Sequence, residues 1–118
     1  MVRDPTPRAI LQPRGFLLGT LWVSGLLTGF RQFLDDERIG LVINCLNTGQ
    51  GVIIGMNSND GRYMDRVEIT LPRVAFALAR GKNILAHCGH GAHRSGSFVI
   101  FFLAMILRLR FLGEAPPG

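Results

Sequence analysis

Short apolar runs and longer apolar segments follow one another along this chain, and glycine or polar residues separate them. The short runs are typical of buried strands, and the longer ones have the length of helices. The predicted strands are residues 17–18, 21–23, 41–44, 52–54 and 83–86, and the predicted helices are residues 26–34, 72–79 and 97–109. Alternation of strand and helix predicts an α/β fold, with a mostly parallel central sheet flanked by helices.

The N-terminal residues differ in composition from the rest. Residues 1–14 contain three arginines and three prolines, which predicts an irregular N-terminal segment. The remaining residues, 15–118, are enough for one hydrophobic core but too few for two, so we expect a single domain there. The apolar segments at 15–30 and 97–107 are shorter than a comfortable bilayer span, and glycines interrupt the first. We therefore expect no membrane span.

The chain is basic, with a formal net charge of +5. Its arginines are spread along the sequence and form no long run, so nothing local supports nucleic-acid binding. A basic surface would instead attract phosphorylated substrates and speed their encounter with the protein.

The stretch from His87 to Ser95 carries the most chemical information. It places Cys88 and Arg94 six residues apart on a glycine-rich turn between a predicted strand and a predicted helix. Such a turn directs several backbone N–H groups at one point, where the N-terminus of the helix adds partial positive charge. This arrangement binds phosphate, and it favours the thiolate form of a cysteine placed beside it.

These residue types suit covalent phosphate transfer. Cys88 is the candidate nucleophile, and Arg94 can grip two phosphate oxygens with its planar guanidinium. Ser95 is placed to donate a hydrogen bond to the sulfur and so assist its departure. The candidate phosphate-binding residues are Gly89, His90, Gly91, Ala92, His93 and Arg94.

The pattern His87-Cys88, five residues, Arg94-Ser95 resembles the signature of the cysteine-dependent protein tyrosine phosphatase superfamily. In size and order of elements the chain is most similar to the small dual-specificity phosphatases. The resemblance implies a protein tyrosine phosphatase-like fold and hydrolysis of phosphotyrosine and phosphoserine/threonine through a cysteinyl-phosphate, without a cofactor. His90 and His93 depart from the small residues that are commoner in those enzymes.

The resemblance also implies features outside the signature. Such enzymes have further helices after the one that follows the loop, so we expect a chain truncated at its C-terminus, with a partner or a missing segment covering the last helix. They also use an upstream aspartate as general acid. Asp60, on a polar loop after an apolar run, is the first candidate, and Asp65 is the second. Asp60-Gly61 is also a common turn sequence with no catalytic meaning.

Other functions are compatible with the same residues. The first alternative is a protein without catalysis: a phosphatase-like pseudoenzyme or phosphate-binding interaction module would keep the fold without turnover. Phosphoinositides and RNA 5′-phosphates are alternatives to a phosphorylated protein substrate. His87, His90 and His93 are spaced by three beside Cys88, which is a weak metal-binding pattern. Because no second ligand cluster follows, we expect no metal.

The chain has two cysteines, Cys45 and Cys88, and no pattern typical of secretion. A cytoplasmic or nuclear location, where thiols stay reduced, fits this composition. Cys45 follows a predicted strand and is expected to be a small core residue. The alternative is that Cys45 pairs with Cys88 under oxidising conditions.

Overall fold

The computed structural model describes residues 6–25, 29–56, 61–89 and 93–114. These residues form a five-stranded sheet and three helices. The strands are β1 (Arg8–Leu11), β2 (Leu21–Ser24), β3 (Ile39–Asn44), β4 (Val52–Ile53) and β5 (Asn83–His87). The helices are α1 (Phe30–Asp36), α2 (Tyr63–Ala79) and α3 (His93–Glu114).

The sheet has the strand order β1-β2-β5-β3-β4. β1 is antiparallel to β2, and the other neighbouring strands are parallel, so the predicted α/β class with a mostly parallel sheet is confirmed. β5 is central, and its last four residues are buried, as its unbroken apolar run predicts. The carboxyl ends of the four parallel strands meet at one edge of the sheet, which we call the carboxyl edge.

Helices cover both faces of the sheet. α1 lies on the face that carries Trp22 and His87, whose rings contact Phe33 and Phe30 at centroid distances of 5.2 and 5.1 Å. Since side chains alternate along a strand, the residues next to Trp22 in β2 and next to His87 in β5 face the other side of the sheet. Right-handed crossovers place α2 on that side, because the chain returns from β4 to the sheet centre through α2.

Helix α2 is nine residues longer than predicted. The sequence places its start at Pro72, but it begins at Tyr63, and Pro72 lies inside it. Proline removes one N–H from the helix ladder. The backbone carbonyl of Glu68 therefore loses its hydrogen bond within the helix. The energetic cost is limited because Pro72 and Glu68 are both exposed. The buried face of the helix repeats at helical spacing and consists of Val67, Thr70, Leu71, Val74, Ala77 and Leu78.

The N-terminal region also differs from its prediction. Strand β1 lies within residues 1–14, which we expected to be irregular, because Arg8 and Ala9 pair with Val23 and Trp22 of β2. No strand forms at residues 17–18. Leu17 closes a tight turn with Arg14, in which each N–H donates to the other's carbonyl at 2.7 and 3.0 Å.

Two helices, α1 and α3, differ from the sequence prediction at both ends, and α3 continues to Glu114, beyond the predicted end at residue 109. The first helix, predicted at residues 26–34, is observed at Phe30–Asp36, and residues 26–28 lie outside the described part of the chain. Helix α3 begins at His93, four residues before the predicted start. Arg94 and Ser95 therefore belong to its first turn. Within the described ranges, no helix combines the length and the hydropathy that a bilayer crossing needs.

Candidate functional site

Cys88 lies at the carboxyl edge, directly after the central strand β5. Its N–H donates to the carbonyl of Ser24 at 3.2 Å, so β2 fixes the backbone at this point. On the other side, the N–H of Cys45 donates to the carbonyl of His87 at 2.9 Å. Both strands that flank β5 therefore position Cys88, which is fully buried.

Ser95 brings the first turn of α3 to the Cys88 sulfur. The distance between Cys88 Sγ and Ser95 Oγ is 3.5 Å, and Ser95 Oγ donates to the Ser24 carbonyl at 3.0 Å. A hydroxyl has one proton, whose direction can rotate. With a neutral thiol, Ser95 can accept from the sulfur while it donates to Ser24. With a thiolate, the same hydroxyl can turn its proton to the sulfur. The sequence analysis expects the Ser95 hydroxyl to lie within reach of the Cys88 sulfur, and the two atoms are 3.5 Å apart in the structure.

Arg94 lies beside Ser95 in the first turn of α3, with an exposed side chain. Its charge lowers the pKa of the buried Cys45 thiol, against the larger effects of burial and of the neighbouring Cys88, which raise it. Gly89 is half-buried after Cys88. Of the other predicted phosphate-binding residues, His90, Gly91 and Ala92 lie outside the described residues, and only the backbone of His93 is described.

Cys45 follows β3 as Cys88 follows β5, and it is fully buried. The prediction that Cys45 is a small core residue is confirmed. Burial raises the pKa of the Cys45 thiol to about 12, and the neighbouring Cys88 acts in the same direction. Cys45 therefore stays protonated at neutral pH. The two cysteines are not joined by a disulfide.

His87 is buried on the opposite face of the sheet from the cysteines, with its ring against Phe30. Its Nδ1 atom has no hydrogen-bond partner among the described residues. Burial lowers the pKa of His87, while the nearby polar backbone of Cys88 has a smaller effect that raises it. The folded protein therefore favours the neutral imidazole.

This lowered pKa predicts a pH dependence of stability. In the unfolded chain, His87 takes up a proton below about pH 6.5. In the folded protein, the same protonation requires a lower pH. Stability should therefore fall with decreasing pH below that value, by at most about 1.4 kcal/mol per pH unit from this group. Urea unfolding at pH 8 and at pH 5.5 measures the loss. The loss should be smaller in His87→Gln, and an equal loss in both proteins would contradict the prediction.

The structure describes one of the two candidate acids. Asp60 lies outside the described residues. Asp65 is in the first turn of α2, and its exposed carboxylate is 3.5 Å from Nε of Arg62. Since α2 connects β4 to the start of β5, its N-terminus lies near the carboxyl edge. Asp65 is therefore at the same end of the sheet as Cys88.

Two polar side chains that the sequence analysis did not assign shape the loops at this edge. Nδ2 of Asn44 donates to the carbonyls of Thr48 and Gln50 at 2.9 and 3.1 Å, and its Oδ1 accepts from the N–H of Leu46. The guanidinium of Arg66 donates to the carbonyls of Ile54 and Gly55. An asparagine at the end of a strand is a sequence signal that predicts such a loop. No comparable sequence signal predicts the role of Arg66.

The metal-binding alternative depends on residues that the structure describes only in part. His90 lies outside the described residues, and the side chain of His93 is not described. Among the side chains that are described, no three of the His, Cys, Asp or Glu type are grouped so that they could hold a metal ion.

Comparisons with protein-family models, with curated proteins and with solved structures found no significant match to this chain.

Proposed function

We propose that this protein is a cysteine-dependent phosphatase of the protein tyrosine phosphatase type, acting on phosphotyrosine and phosphoserine/threonine. The observation that carries the proposal is the position of the Cys88 sulfur, at the carboxyl end of the central strand and 3.5 Å from Ser95 Oγ at the start of α3. Parallel α/β sheets bind ligands outside the carboxyl ends of their strands. The resemblance of residues 87–95 to the phosphatase signature supplies the reaction, and the sheet is compatible with the fold that this resemblance implies.

In the first step, the Cys88 thiolate attacks phosphorus and forms a bond to it, while the bond from phosphorus to the leaving oxygen breaks. The departing oxygen takes a proton from the general acid, Asp60 or Asp65. Arg94 and the N–H groups of the first turn of α3 hold the phosphoryl oxygens. These N–H groups lack partners within the helix.

In the second step, water attacks phosphorus, the same aspartate accepts a proton from it, and the sulfur leaves as thiolate. Ser95 donates a hydrogen bond from its hydroxyl to that thiolate and keeps its proton. The Ser24 carbonyl, which Ser95 then releases, keeps its hydrogen bond from the Cys88 N–H. The change at Ser95 therefore leaves no buried carbonyl without a partner.

Hydrolysis of a chromogenic aryl phosphate in the presence of a chelator tests the proposal. We expect turnover that vanadate inhibits and that the chelator leaves unchanged. Acid quenching during turnover should trap one phosphoryl group on Cys88. Binding of inorganic phosphate or vanadate without any turnover would contradict the proposal and favour the phosphate-binding module. Loss of turnover in chelator would contradict a metal-independent reaction.

Ser95→Ala should slow the second step more than the first. The thiolate then leaves without its hydrogen bond, which is worth roughly tenfold to hundredfold in rate as a charge-assisted bond. Rapid mixing with the aryl phosphate should show a burst of aryl product equal to the enzyme concentration, followed by slow turnover. Ser97→Ala, which removes a hydroxyl two positions along α3, should show no such change. Equal slowing of burst and steady state in Ser95→Ala would remove Ser95 from the mechanism.

Asp60→Asn and Asp65→Asn should separate the two candidate acids. Loss of the true acid slows poor leaving groups by roughly a hundredfold or more and good leaving groups much less, since a good leaving group departs without a proton. The measurement is the dependence of turnover on the pKa of the leaving phenol. We expect Asp60→Asn to steepen this dependence and Asp65→Asn to leave it unchanged. The reverse result would assign the acid to Asp65.

A further inference from the structure

An exposed apolar patch lies at the end of the sheet opposite Cys88, where β2 and β5 begin. We call this end the amino edge. Three large apolar side chains are exposed there, Phe16 to 65%, Leu18 to 60% and Phe76 to 64%. Together with Arg14, Arg80 and Lys82, which are also exposed, they form what we call the amino-edge patch.

Backbone contacts hold the parts of this patch together. The N–H groups of Leu18 and Gly19 both donate to the carbonyl of Leu78 at 2.9 Å, which ties the segment before β2 to the end of α2. The N–H of Lys82 donates to the carbonyl of Ala77 at 3.0 Å. The guanidinium carbon of Arg80 lies 5.5 Å from the centre of the Phe76 ring. The apolar and cationic residues are therefore neighbours on one end of the molecule.

Phe16 occupies the tip of the patch because of its turn. Gly15 has φ of +59° and Phe16 does not have positive φ, and Arg14 and Leu17 close the turn with two hydrogen bonds. A glycine with positive φ at the first central position is typical of a type II′ turn. The turn presents Phe16 outward while Leu17 is buried in the core.

We propose that the amino-edge patch binds the surface of an anionic lipid bilayer. Aromatic and aliphatic side chains at an exposed tip can enter the headgroup region, and nearby arginine and lysine attract acidic lipids. The positive charge of the patch favours an anionic partner over a neutral one. Asp35, Asp36 and Glu37, at the end of α1, lie at the same edge, where the Glu37 carbonyl accepts a hydrogen bond from Nδ2 of Asn83 at 2.9 Å. The exposed Arg38 follows them directly and adds a further positive charge at this edge.

The patch and Cys88 lie at opposite ends of the sheet, so this inference does not depend on the proposed function. Membrane binding through the amino edge would leave the carboxyl edge facing away from the bilayer. Phosphatase activity on a soluble substrate should therefore persist in the bound state, and either proposal can fail without the other.

Sedimentation with lipid vesicles tests the proposal. The vesicles contain phosphatidylcholine with about 30% phosphatidylserine, which gives a strong negative surface potential. The full chain should bind these vesicles, and it should bind vesicles of pure phosphatidylcholine much more weakly. Raising the salt concentration should release the protein, because exposed charges are screened. Equal binding to both kinds of vesicle, or none to either, would overturn the proposal.

Paired variants locate the binding surface. The double variant Arg80→Gln, Lys82→Gln should weaken binding to the anionic vesicles roughly thirtyfold, because it removes the attraction of two cations to the anionic surface. Phe16→Ser with Leu18→Ser should weaken it by about tenfold or more. Ile100→Ser, which removes an equally exposed apolar side chain from α3, should bind like the parent, and circular dichroism checks each fold. Membrane binding through the patch would be contradicted if Ile100→Ser weakened vesicle binding equally. It would also be contradicted if the protein bound no vesicles but formed a dimer that the patch variants disrupt.

Discussion

Cys88→Ser should abolish hydrolysis of the aryl phosphate, with a loss on the order of 10⁴ or more in turnover. The sulfur is the proposed nucleophile, and a serine hydroxyl at the same position is not ionised at neutral pH. The substitution changes one atom in a fully buried side chain, so binding of vanadate to Arg94 and the first turn of α3 should survive. The measurements are turnover of the aryl phosphate, vanadate binding and thermal unfolding of the same preparation.

Cys45→Ala is the matched control, because Cys45 occupies the same position after β3 that Cys88 occupies after β5, and both are fully buried. Cys45 stays protonated at neutral pH, since burial raises its pKa to about 12. We therefore expect Cys45→Ala to keep most of the turnover. If turnover survived in Cys88→Ser but disappeared in Cys45→Ala, the nucleophile would be Cys45, and the proposal would be wrong.

Gly19→Ala should produce the largest loss of stability among single substitutions at the glycines that the structure describes. A Cβ atom at this position would lie 1.9 Å from the carbonyl oxygen of Lys82, where no atom fits. The backbone on both sides is held, since the Gly19 N–H donates to Leu78 and the Lys82 N–H donates to Ala77. We expect a loss of about 3 kcal/mol or more, and a melting temperature lower by roughly 10 °C or more.

Gly96→Ala provides the comparison for that substitution. Gly96 lies in α3, and a Cβ atom there would meet nothing within 4 Å. Alanine is favoured over glycine in a helix, so this variant should gain about 0.5–1 kcal/mol. The measurement for both is urea unfolding with the free energy extrapolated to water. Equal stability of Gly19→Ala and the parent would contradict the close approach of Gly19 to the Lys82 carbonyl.

The strands were predictable because their signal is local. Four of the five predicted strands, at residues 21–23, 41–44, 52–54 and 83–86, coincide with β2, β3, β4 and β5, since each is an apolar run bounded by turn residues. β1 was missed because its proline-rich surroundings conceal a strand that only pairing with β2 stabilises. The start of α2 was missed because Pro72 is normally a helix start, and its tolerance inside α2 depends on an exposed position.

The sequence by itself determined the α/β class and the contact between Cys88 and Ser95, because a strand, a short loop and a helix bring those residues together locally. Only the tertiary structure decided that Ser24 and Cys45 flank Cys88, since the neighbours of a parallel strand come from distant parts of the chain. It also decided that Phe16, Leu18 and Phe76 share one exposed surface with three cations. Such surfaces depend on which elements end beside each other, and no local pattern encodes that.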